Sequence, residues 1–159
     1  MNSICQPSQL PYGAYAFDQF KTEDFSEAFR LAIDEKRREV EAIISSPEAP
    51  TFANTILALE RSGALLEWVS GSFYNLLHAE ATDELMQISQ EVSPSLSALS
   101  SFITLSEPLF ERIRQVWEAR ESLQLDAEDL RLLERCYEGF SESGAQLPSD
   151  KKERLREVK

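Results

Sequence analysis

Histidine is almost missing from this chain: His78 is the only one among 159 residues. The paired histidines of a zinc-binding H-E-x-x-H helix are therefore excluded within it. No G-x-S-x-G, no Walker loop and no G-x-G-x-x-G occurs, so the sequence offers neither a nucleophile elbow nor a phosphate cradle. The two cysteines, Cys5 and Cys136, lie far apart and supply no disulfide framework and no metal spacing. Cys136 falls inside a helical pattern, where a free buried thiol is expected. Basic residues are scarce, 16 against 28 acidic ones, for a net charge of −12. That balance argues against nucleic acid, whose binding needs Lys and Arg to neutralise phosphates, and against an anionic membrane surface. A solvated acidic exterior is the plain reading. Apolar runs are too short to span a bilayer, and MNSICQPSQLPYG has neither the basic start nor the apolar run of a signal peptide. The cytoplasm is the expected compartment, with no membrane partner.

Glycine and proline are few as well, 5 and 7. Apolar residues recur at three and four rather than at two, and no Asn-Gly or Asp-Gly hairpin signal is found. An all-α fold follows: an antiparallel multi-helix bundle of about five long helices plus a truncated sixth. The length suits one domain with a continuous core.

What is present is a series of amphipathic segments. Residues 1–21 are expected to form an irregular arm that docks the rings of Tyr12, Tyr15 and Phe17 on the helices. Residues 22–148 form the helical domain. Thr22 starts the first helix, with Phe25, Ala28, Phe29, Ala32, Ile33, Val40, Ile43 and Ile44 on one side. The charges of Asp34–Glu39 balance and read as a solvated face. Pro50 and Thr51 open the second helix, expected to run unbroken to about Ala79 along the seam Phe52, Ile56, Leu59, Gly63, Leu66, Ser70, Phe73 and Leu77. Gly63 on that seam invites close helix approach; Gly71 lies off it. Thr82 caps a third helix that continues through Pro94 with a kink to about Thr104. Ser106 and Pro108 start a fourth, to about Ser122. Asp126 caps a fifth, with Leu130, Leu133, Cys136, Tyr137 and Phe140 inward and Gly144 as its C-cap. Residues 149–159 begin a sixth helix whose apolar face, Leu155 and Val158, is just opening; the chain is expected to be a piece of a longer one.

The acids and the histidine carry little chemistry by themselves. Glu60 and Glu67 sit seven apart, on one side of a continuous second helix, but di-iron carboxylate bundles need Glu-x-x-His, and Asn75 stands where that Glu would be. Solvated carboxylates are the better reading, Asp83 and Glu84 being helix-start charges. His78 suits a helix C-terminus, where a polar cationic group complements the dipole. No spacing supports a Cys136–His78 pair. Trp68 falls off the seam, close in rotation to Arg61 and Asn75. It either packs under a further helix of this chain or belongs to a surface that meets something outside it.

Three stretches resemble a known family: FDQFKTEDFSEAFRLAIDEKRREVEAI, PTFANTILALERSG and LDAEDLRLLERCYEGFSESGAQL. They are similar to the amino-terminal region of the thimet oligopeptidase and peptidyl-dipeptidase family, with the bacterial peptidyl-dipeptidase and oligopeptidase A branch nearer. Ala53 stands where that family commonly has Glu, a change of first-turn charge only. The resemblance implies a mainly helical zinc metallopeptidase of short peptides, closed around a deep channel, whose zinc helix lies in the carboxyl-terminal half. It also implies that the sixth helix continues beyond Lys159. No catalytic, cofactor-binding or metal residue carries over to this chain, which is expected to be inactive alone and to form part of the channel wall. Its expected partners are the carboxyl-terminal catalytic region of the same protein and, in the whole enzyme, short peptides; the isolated piece could self-associate. The rival reading is a stand-alone helical adaptor without enzymatic activity.

Overall fold

The computed structural model describes residues 2–144, and the expected sixth helix at 149–159 lies outside the described residues. Among the described residues there is no strand, and no helix is long and apolar enough to cross a membrane. The helices are α1 (Asp24–Ser45), α2 (Ala58–Arg61), α3 (Ala64–Glu80), α4 (Asp83–Thr104), α5 (Glu107–Glu118) and α6 (Ala127–Glu142). All but the four-residue α2 are long. The all-α expectation holds.

Local capping explains most starts. Thr51 Oγ1 accepts from the Asn54 N–H while Asn54 Oδ1 accepts from the Thr51 N–H, a reciprocal capping box. Thr82 accepts from the Leu85 N–H, Ser106 from the Leu109 N–H, and Asp126 from both Glu128 and Asp129. α4 runs through Pro94 as one helix.

The second helix is where the structure departs from the pattern. Phe52–Leu57 is a π-helical turn, α2 follows, and the helix then stops. Ser62 is extended at ψ 144° and its hydroxyl donates to the Leu59 carbonyl. Gly63 then takes φ +83°, a left-handed conformation that glycine adopts without a Cβ penalty. A Cβ at Gly63 would also come within 2.5 Å of the Lys36 side chain. The Ser-Gly stop was thus written inside an apolar seam that continued on both sides of it.

The chain forms two compact units. The first comprises Met1–Arg38 and Gly63–Leu96. Its core holds Phe25, Ala28, Phe29 and Ala32 of α1, Val69 and Phe73 of α3, and Leu85, Ile88 and Val92 of α4. Phe73 meets both Phe25 and Phe29 edge-on, each with ring centroids 5.2 Å apart, and the buried alanines leave room for that packing. Burying each such ring contributes roughly 1.5–3 kcal/mol.

The second unit comprises Glu39–Ser62 and Ser97–Lys159. Val40, Ile43, Phe52, Ile56, Leu109, Phe110, Ile113, Val116, Leu133 and Phe140 form its core. Trp117 and Tyr137 stack nearly parallel, 4.9 Å between centroids, with the Arg120 guanidinium 4.2 Å from the Trp117 ring centre. Leu130, expected inward, is exposed at 44%. It stands in the first turn of α6, and Leu133 one turn on is the residue that reaches the core. The fourth helix ends early, at Glu118, and a 3₁₀ turn over Arg120–Ser122 replaces its last turn.

Candidate functional site

Chemistry-bearing side chains are dispersed rather than gathered. His78 is exposed in the last turn of α3. Cys136 belongs to the second unit and His78 to the first. Glu60 and Glu67 are likewise split between the units, because the Ser62–Gly63 break ends the helix that was expected to carry both. Among the described residues no group of three or more His, Cys, Asp or Glu could hold a metal ion. Burial, helped by Glu60, pushes the Cys136 thiol up to about 11. Cys5 is also raised, chiefly by burial and then by Glu27 and Glu35. Both sulfurs are therefore protonated near neutrality, the opposite of an activated nucleophile.

In the second unit an open groove of about 590 Å³ lies between Leu59–Glu60 and one face of α6. Leu132, Cys136 and Phe140 supply its apolar side, at the spacing of adjacent turns. Glu60, Glu128, Arg131 and Arg135 edge it with charge of both signs. Such a surface can receive an extended or helical peptide through apolar contact and ion pairing; it holds no group set to activate water.

In the first unit, the arm is the distinctive feature. Asn2 donates its amide to the Asp24 carbonyl and accepts from the Ile4 N–H, and Ile4 is fully buried. Trp68 donates its indole N–H to the Ile4 carbonyl at 2.8 Å. Tyr15 lies against the Trp68 ring, 4.4 Å between centroids. The arm, and not a further helix, packs on Trp68, which stays half-buried. Gly71 is the close-approach point, since a Cβ there would lie 2.2 Å from the Tyr15 hydroxyl. Of the three rings expected to dock, Tyr15 does, Phe17 is half-exposed, and Tyr12 does not.

Two buried anchors, Ile4 and Arg112, are not among the core residues expected from the sequence. Ile4 stands alone among polar residues and proline, with no period to mark it. Arg112 is buried on α5, where it donates to the carbonyls of Ser46 and Glu48 and to Asn54 Oδ1. Its position one before Ile113 on the apolar side of α5 was the available signal.

No family model matches the chain. It is 43% identical over 155 residues to a dipeptidyl carboxypeptidase of Salmonella typhimurium and 40% identical over 156 residues to one of Escherichia coli. A thimet-like oligopeptidase of Dictyostelium discoideum is 31% identical over 121 residues. These matches cover 98%, 98% and 73% of the chain, but only 23%, 23% and 18% of the respective relatives. The chain spans about a quarter of the length of the curated relatives it matches.

Proposed function

Because the chain belongs, as an amino-terminal region, to the family of dipeptidyl carboxypeptidases and oligopeptidases, we propose that it is the helical part of a peptidase whose catalytic residues lie elsewhere in the polypeptide. Identity along nearly the whole chain carries this reading. The reaction is release of dipeptides from the carboxyl ends of short peptides, the activity named by the bacterial relatives. The family resemblance supports a zinc-dependent chemistry. A single exposed histidine, with no group of three or more His, Cys, Asp or Glu placed to hold a metal among the described residues, does not suit a zinc site, so the metal is assigned to the remainder.

In this reading residues 22–148 are the helical domain that forms part of the substrate-channel wall, residues 1–21 its docking arm, and residues 149–159 the opening of a helix continued by the remainder. The mixed-charge groove along α6 supports a peptide-facing role. The full-length polypeptide should bind one zinc and release dipeptides, and the 159-residue chain alone should do neither. Stoichiometric zinc binding with peptide cleavage by the chain alone would overturn the assignment. A reading frame that stops at Lys159 would favour an adaptor instead.

A further inference from the structure

The arm spends conformational energy on holding one aromatic ring in water. Tyr12 is fully exposed and sits at φ +61°, ψ 17°, the left-handed region that disfavours a side chain with a Cβ. Gly13 follows at φ +66°. The turn is tied from both sides: Ser8 Oγ donates to the Ala14 carbonyl and accepts from the Leu10 N–H, and the Gly13 N–H donates to the Leu10 carbonyl. Pro11 fixes φ just before the tip. Its base is pinned by Tyr15 on Trp68 and by the Trp68 bond to Ile4. Among the described residues the exposed large hydrophobics are Leu10, Tyr12 and Phe17 on this arm, and only Met86 and Leu130 elsewhere.

We propose that the Leu10–Phe17 segment is a docking knob, with Tyr12 at its tip, for the part of the same polypeptide that follows this chain. An apolar pocket with a hydrogen-bond acceptor at its floor would take the ring and its hydroxyl. Chain length and the exposure of the ring point to that occupant. The chain spans 23% of its bacterial relatives, which leaves about three quarters of such a polypeptide to cover exposed surface. The turn's own hydrogen bonds hold its backbone, but the Tyr12 ring stays fully exposed, so the group that would cover the ring lies outside the first unit. The inference rests on the functional reading above.

The test places a benzoylphenylalanine photo-crosslinker at position 12 of the full-length polypeptide and maps the products by mass spectrometry. Cross-links to peptides beyond Lys159 of the same chain are expected. Cross-links within residues 1–159, between two copies, or none at all would overturn the proposal. Tyr12→Gly provides a second arm. It relieves the left-handed strain, so the melting temperature of the 159-residue chain should hold or rise. In the full-length protein the same change should speed tryptic cleavage at Lys21 about tenfold, the scale of losing one aromatic anchor. An unchanged cleavage rate would count against the knob. Dipeptide release by the wild-type polypeptide is scored separately, so failure of the functional reading is seen in the wild type and failure of the docking in the cross-links.

Discussion

Gly71 and Tyr15 meet so closely that each decides what the other can be. Alanine in place of a mid-helix glycine normally gains about 1 kcal/mol. At Gly71 the new methyl would collide with the Tyr15 hydroxyl, so Gly71→Ala should release the arm and raise its susceptibility to proteolysis. Adding Tyr15→Phe removes the offending oxygen and leaves the ring's far carbon at 3.3 Å, so the double variant should recover wild-type protection and melt at or above it. The Cys136 thiol makes a second residue-scale prediction. Its folded pKa of about 11 lies above the ordinary value of 9.0, so the folded state keeps a proton that the unfolded chain releases. Any stability from this proton is whole below about pH 9 and is lost as pH rises through about 11. Alkylation of Cys136 by iodoacetamide should therefore keep climbing up to that pH. Glu60→Gln should move the rise slightly lower, since burial and not Glu60 is the larger cause. Of these residues the sequence pointed to Cys136 as a free buried thiol, and it is half-buried; the meeting of Gly71 with Tyr15 joins positions too far apart for any period to show.

Helix ends carry the predictions at the scale of elements. α3 stops at Ala81, which takes φ +45° and donates its N–H to the Leu77 carbonyl. That is a C-terminal position glycine fills without strain, so Ala81→Gly should raise stability by about 1 kcal/mol in urea unfolding. Arg112 joins α5 to the connection between α1 and the π turn through the Ser46 and Glu48 carbonyls and Asn54. Arg112→Ala should cost about 3 kcal/mol, because three polar partners of a buried guanidinium lose their donor. Arg112→Lys should recover only part of it, since a compact ammonium cannot reach all three acceptors. Helix starts were readable because a cap needs only a side chain within three residues of the N–H it serves. The Ser62–Gly63 stop was readable too, as a serine–glycine pair, but apolar periodicity on both sides outweighed it.

At the scale of the whole molecule, the proposed peptide-facing role of the groove along α6 can be tested by its charge. If it faces the substrate path, Arg131→Glu with Arg135→Glu in the full-length peptidase should raise KM several-fold for acidic peptides and lower it for basic ones, with kcat little changed. Equal kinetic constants for the two peptide classes in both proteins would remove the groove from that path. The sequence by itself determined the helical class, most of the caps and the family, because capping, periodicity and wording are properties of neighbouring residues. Only the tertiary structure decided that the long seam serves two cores, that the arm and not a helix packs on Trp68, that Tyr12 stays in water, and that Arg112 is buried. Those outcomes rest on contacts such as Trp68 to Ile4 and Arg112 to Ser46, between residues more than sixty apart in the chain. Burial at such distances is set by which surfaces fold together, and no local pattern records it.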